Sequence, residues 1–146
     1  MSSLKRFLLS QGYISHNMRL ANKTGHIVTK ASINGHQGRF IIDTGASASC
    51  VNQEMYKEFQ LETEFLDRQI STASGVLRPR ISSGNNLELG NWSDEDFTFL
   101  SMDMTHINNA LKGERMKSVQ GLLGADFLIG SKAVIDYKSK KIFLKI

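Results

Sequence analysis

Residues 40–47 read Phe40-Ile41-Ile42-Asp43-Thr44-Gly45-Ala46-Ser47. Three consecutive apolar residues of high strand propensity run into a carboxylate and then into small, polar residues. This is the pattern of a buried strand that ends on a tight turn. Thr44 is β-branched and carries a hydroxyl that can lock the turn, and Gly45 leaves room for another backbone or a ligand to come close. An acid at the end of an apolar strand has either to be paired or to do chemistry. Working outward, His26–Ile33 is rich in β-formers and Asn34-Gly35 is the preferred pair for a two-residue hairpin turn. Gly38–Ile42 then returns straight into Asp43, so a hairpin is expected to hold the acid.

The chain has 146 residues, one Pro and one Cys, with 40% hydrophobic and 22% charged residues. Those values predict one folded domain of ordinary core size and argue against disorder. No apolar run approaches the roughly 18 residues that would span a bilayer, so no membrane partner is expected. Leu4-Lys5-Arg6-Phe7-Leu8-Leu9 is basic and apolar, but it is short and lacks a small-residue cleavage site, so it does not read as a secretory signal. The lone Cys50 cannot form an internal disulfide, which fits a reducing, cytoplasmic setting. It reads as a small apolar residue just past the turn.

The net charge of +4 is unevenly spread. No Asp or Glu precedes Asp43, whereas Lys5, Arg6, Arg19, Lys23, Lys30 and Arg39 all do. Such a basic segment suits nucleic acid or an acidic partner. The charges are nevertheless scattered through strand pattern, without a run and with few interleaved aromatics, which weighs against nucleic acid. Residues 1–23 read as a basic N-terminal arm with a short helix from Leu4 to Ser10, capped by Ser2 or Ser3 and ended by Gly12. Leu4, Phe7 and Leu8 would share one face of it.

Past the turn, Asn52 can cap a short helix over Gln53–Phe59. Ile70–Leu77 places small polar residues around Gly75 between apolar ends, as at the tip of a mobile hairpin. Strands are expected over Arg80–Leu89 and Phe97–Met102, with Gly90-Asn91 and Ser93–Asp96 as turns. Residues 105–117 read as a helix and loop. Gly121–Gly124 is a short apolar strand closed by glycine, and a short helix begins after it. Ala133–Tyr137 and Ile142–Ile146 would form a terminal hairpin about Lys138-Ser139-Lys140.

Taken together, Asp43-Thr44-Gly45 after an apolar strand, a glycine-bearing hairpin about thirty residues later and Leu122-Leu123-Gly124 resemble the retropepsin-like aspartic proteases. The likeness is greatest to the small single-lobe kind found in bacteria, and it covers residues 24–146 as one protease domain. It implies a mainly β, closed barrel-like fold with short helices. By resemblance, Asp43 is the catalytic carboxylate, Thr44, Gly45 and Ala46 complete its motif, and the threonine interlocks with its mate across a dimer. Ala73, Ser74 and Gly75 match the flap tip that closes over a peptide. Leu122, Leu123 and Gly124 match the element that buttresses the catalytic loop, and Asp126 matches the acidic position after it. The terminal strands match those that build the dimer interface of retroviral relatives. Gln120 stands where relatives often have Asp.

Chemistry points the same way. Hydrolysis without a metal or a covalent intermediate needs one carboxylate to take a proton from water and one carboxylic acid to protonate the carbonyl oxygen. Two carboxyls about 3 Å apart do not both ionise; they share one proton and titrate as a unit. No second Asp-(Thr/Ser)-Gly occurs in the chain, so the expected active form is a two-fold homodimer acting on a peptide or protein substrate. Ala46 lacks the hydroxyl with which a serine there would favour the ionised carboxylate, so activity is expected at less acid pH than pepsin's. Asp94, Glu95 and Asp96 read as solvated, Asp126 as a helix-starting acid and Asp136 as a strand hydrogen-bonding group. His16, His26, His36 and His106 lack metal-ligand spacing, so neither a metal nor another cofactor is expected. Ser47 and Ser49 have no histidine placed by the motif to activate them. The competing reading is a non-proteolytic dimeric peptide-binding module on the same fold.

Overall fold

In the computed structural model, the structure describes residues 2–21, 23–65, 70–72, 75–77 and 80–146. The chain order is α1 (Ser3–Ser10), β1 (Tyr13–Asn17), β2 (Arg19–Leu20), β3 (Ile27–Ile33), β4 (His36–Ile42) and β5 (Cys50–Asn52). A single 3-10 turn (Gln53–Met55) leads to β6 (Glu64–Phe65), β7 (Ile70–Thr72), β8 (Gly75–Leu77), β9 (Arg80–Leu89) and β10 (Trp92–Met102). Then come α2 (Thr105–Gly113), β11 (Gly121–Leu123), α3 (Ala125–Gly130), β12 (Val134–Asp136) and β13 (Lys141–Lys145).

The main sheet runs β2-β3-β4-β11-β5-β10-β9-β6, and β3 also pairs with β9 through Ser32↔Glu88 and Ile33↔Leu87. That last pairing closes β3, β4, β11, β5, β10 and β9 into a barrel, which removes most free strand edges. The β3–β4 hairpin turns on Asn34 and Gly35, both with positive φ (52° and 85°), as a primed two-residue turn requires. Asn34 also donates its side-chain amide to Phe59 O (2.9 Å) and accepts from the Asn86 N–H, so the turn is tied to two neighbouring segments.

Two apolar clusters explain the unbroken apolar run before Asp43. Phe40, Ile42 and Leu123 point into the main core with Val51, Phe99 and Leu87, whereas Ile41 and Leu122 point the other way. There Met104 just before α2, Leu111 within it and Val119 after it cover them. Strands buried on both faces have no polar alternation to show.

Ser2 accepts from the Lys5 N–H at 3.1 Å and caps α1, and Gly12 follows its end at φ 84°. Of the expected apolar face only Leu8 is buried, while Phe7 is 59% exposed. Beyond the helix there is no separate arm. Tyr13–Asn17 pairs with Lys141–Lys145 in a three-stranded sheet β1-β13-β12, and Arg19–Leu20 pairs with Ile27–Val28. Residues 23 and 24 lie in the turn between β2 and β3. Ser93–Asp96, expected as a turn, lies within β10. Trp92 pairs with Leu89 across Gly90-Asn91, and the extra residues are taken up by register shifts between Asp94 and Phe99. Cross-strand pairing and the burial of Trp92 override local turn chemistry here.

Candidate active site

The Asp43 loop hangs between two strands that do not pair with each other. β4 carries the chain into it and β5 carries the chain away, and β11 fills the gap between them. β11 runs parallel to β4, with Leu122 opposite Ile41 and Leu123 opposite Ile42, and antiparallel to β5, with Leu122 opposite Cys50. The Asp43 N–H donates to Leu123 O at 2.9 Å, extending the ladder into the acid itself. The Ala125 N–H donates to Ala46 O at 2.7 Å on the far side of the loop. Gly124 is required there, because a Cβ on it would lie 2.6 Å from Ala46 O and 3.1 Å from Ala48 O. Leu123 and Gly124 thus touch the loop through main-chain groups, and Leu122 pairs with the strands on either side of it.

Asp43 is half-buried, and Thr44 and Gly45 are exposed. The Gly45 N–H donates to Asp43 Oδ1 at 2.9 Å, and the Ala46 N–H donates to the Asp43 carbonyl at 3.3 Å. The turn is therefore closed by main-chain donors, which fix one carboxylate oxygen and leave the face of the loop open to solvent. The Thr44 hydroxyl makes no hydrogen bond among the described residues, so it does not lock its own turn. Ala46 offers no side-chain donor to the carboxylate.

Asp126 and Ser49 form the tightest polar cluster in this region. Ser49 Oγ donates to Asp126 Oδ1 at 2.6 Å, the Ser49 N–H donates to Oδ2 at 2.9 Å, and the Gly124 N–H donates to Ser49 Oγ at 2.9 Å. Asp126 Oδ1 also accepts from the Phe127 N–H at 2.8 Å. Ser49 is 1% exposed. It had no reading from the sequence beyond a rejected nucleophile, and its role depends on a partner 77 residues away. Cys50 follows it, with its thiol donating to Ala48 O at 3.6 Å. Burial, and secondarily the charge of Asp126, push that thiol up to about 11. Ser47 is exposed and has no bonded histidine among the described residues.

Of the residues expected at a flap tip, Ala73 and Ser74 lie outside the described residues; Gly75 opens β8 and pairs with Thr72. Two larger clefts, about 720 and 510 Å³, are lined respectively by residues around Tyr56 and Arg80 and by residues of β1 to β4, and neither includes Asp43. Among the described residues no group of three or more His, Cys, Asp or Glu is placed to hold a metal ion. Among the described residues no helix is long and apolar enough to cross a membrane. A single carboxylate on an open surface can polarise or deprotonate a water molecule, and it completes a general acid–base pair only if a second acid is brought to it.

A family model described as aspartyl protease matches residues 29–127. No curated protein matches the chain by sequence. Among solved structures, the chain is similar to a retropepsin-like aspartic protease from Rickettsia conorii, with a TM-score of 0.62, 20% identity and coverage of 91% of this chain and 89% of that one. It is also similar to EIAV protease in complex with the inhibitor HBY-793, at a TM-score of 0.56 and 16% identity over 81% of this chain and 99% of that one. The retroviral protease-like domain of Ddi1 from Leishmania major gives a TM-score of 0.54 and 17% identity, covering 80% of this chain and 86% of that domain. At such identities these are likenesses of fold.

Proposed function

Because this chain belongs to the aspartyl protease family and has the retropepsin-like fold, we propose that it is an aspartic endopeptidase built as a two-fold homodimer. Asp43 is the catalytic carboxylate, and a second copy supplies the other acid. The observation that carries this reading is a single Asp-Thr-Gly, held by main-chain bonds at the open end of β4, in a chain with no second copy of the motif.

In the assembled site the two Asp43 carboxyls share one proton. The ionised carboxylate takes a proton from water as its oxygen bonds to the scissile carbonyl carbon, and the protonated one gives its proton to the carbonyl oxygen. Collapse of the tetrahedral diol breaks the C–N bond. One proton passes to the leaving amine and one returns to the pair. The free, exposed Thr44 hydroxyl is available to its mate across the axis. Ala73, Ser74 and Gly75 serve as the flap over an extended peptide. Leu122, Leu123, Gly124 and Asp126 keep the loop in place.

Support for the partner surface comes from the end of the barrel where three termini meet. The Ile146 N–H donates to Gly12 O and the Lys145 N–H to Ser131 O, which brings the ends of α1, α3 and β13 together. Ile129 and Ile146 are 76% and 70% exposed there, and β1 and β12 are both edge strands of their sheet. A second copy covering this apolar end is the interface in this reading.

The deciding experiment combines sedimentation with cleavage of a disordered polypeptide. The wild type is expected to sediment as a dimer and to cleave, and Asp43→Asn to dimerise without cleaving. Pepstatin-like inhibitors should block the wild type. Peptide binding without turnover in both proteins would support the binding module instead. A strictly monomeric wild type that cleaves at full rate would sink the shared-pair mechanism.

A further inference from the structure

Three of the six basic residues before Asp43 converge in space. Lys30 on β3 stands directly opposite Arg39 on β4, and Arg19 on β2 stands opposite Val28, two residues before Lys30. With a side-chain period of two, Arg19, Lys30 and Arg39 therefore share one face of three adjacent strands. Lys117, from the segment after α2, joins them, and the four cations with Asn17 and Gln37 line a cleft of about 510 Å³. No carboxylate lines it.

This arrangement is unfavourable without a ligand. Like charges directly opposite each other on antiparallel strands repel. Among the described residues none of the four side chains has a hydrogen-bonding or ionic partner, and the buried Nε of Arg39 is one of the few buried polar atoms left unsatisfied. An unpaired charged donor out of water is costly. Gln120 approaches Arg39 without relieving it. Its side-chain carbonyl accepts the Arg39 main-chain N–H at 2.7 Å, and as a neutral amide it leaves the guanidinium charge untouched.

We infer that this cleft binds a compact anion carrying several clustered phosphates. Two guanidinium forks and two ammonium groups match multiply charged phosphate oxygens through charge-assisted bonds. The volume lies within the roughly 300–1,000 Å³ of small-ligand sites. Among the described residues its only ring is the imidazole of His16, with no Phe, Tyr or Trp to stack a base, so recognition is by charge and not by a nucleobase. Arg39 lies four residues before Asp43 on the same strand, roughly 13 Å along it. A bound anion would therefore tie together the hairpin that carries the acid.

The test is calorimetric titration of the full chain with inorganic tripolyphosphate, comparing the wild type with Lys30→Gln/Arg39→Gln, with Lys117→Gln, and with a charge-matched control, Lys138→Gln/Lys140→Gln. The wild type and the control should bind alike, with affinity falling as salt rises. The cleft double variant should lose at least about tenfold, and Lys117→Gln, on an exposed side chain that cannot upset the sheet, at least about threefold. Without ligand, the double variant should melt no lower than the wild type, because a repulsion has been removed. Tripolyphosphate should raise the melting temperature of the wild type only where the cleft is intact. Absence of binding at about 1 mM, equal losses in the control, or tighter binding of an oligoglutamate of equal charge would each overturn the inference. Tighter binding of a single-stranded oligonucleotide would overturn it equally.

Discussion

Around Asp43 the side chains are few and the main chain carries most of the geometry. Gly45 and Leu123 engage the acid through their main-chain groups, and Ala46 contributes no hydroxyl. Ala46→Ser should add a donor that favours the ionised carboxylate and move the pH optimum of cleavage down by on the order of one unit; a pH–rate profile of both proteins checks this. Cys50 allows a second prediction with a definite sign. Its thiol is pushed up to about 11 in the fold, so between about pH 9 and 11 the unfolded chain gives up this proton while the folded chain retains it. Its contribution to stability is complete below about pH 9 and falls away as pH rises through that window. Urea midpoints should therefore drop more steeply from pH 8 to 11 in the wild type than in Cys50→Ala. At pH 7 the same thiol should alkylate more slowly than a free cysteine.

At the level of elements, the Asp43 loop is fixed by a strand inserted between its legs and by one buried polar clamp. Ser49 and Asp126 join the loop to the start of α3. Removing the Ser49 hydroxyl leaves the Gly124 N–H without its acceptor and takes from Asp126 Oδ1 one of its two donors. Ser49→Ala should cost about 1–3 kcal/mol of folding stability, read by denaturant unfolding. It should also lower kcat through a misplaced loop, more than it changes KM. These long-range contacts were not legible in the sequence. The β3–β4 hairpin was, because Asn34-Gly35 requires positive φ at two adjacent residues and that preference is local. Ser93–Asp96 shows the reverse case, since an acidic, turn-like stretch is held extended by its partner strand.

For the whole molecule, one motif per chain ties activity to assembly in the proposed mechanism. If two copies make one site, specific activity must fall on dilution. Well below the dimer dissociation constant, a tenfold dilution should cut the initial rate about a hundredfold. Initial rates measured over a dilution series test this, and a rate linear in chain concentration throughout would exclude a dissociating dimer in that range. The exposed Ile129 and Ile146 belong to this scale as well, because in the proposed dimer a second copy covers them.

The octapeptide at 40–47 established by itself the buried strand, the turn and the acid at its end, and with the glycine-bearing hairpin and Leu122-Leu123-Gly124 the sequence carried the family resemblance. All of those follow from short-range steric preferences and from burial written into consecutive residues. The tertiary structure alone decided that residues 13–20 are strands of the domain, that Ser49 clamps Asp126, and that Arg19, Lys30, Arg39 and Lys117 share one cleft. Such facts are distances between residues far apart in the chain. They are set by strand register and barrel closure, and a linear pattern does not contain them.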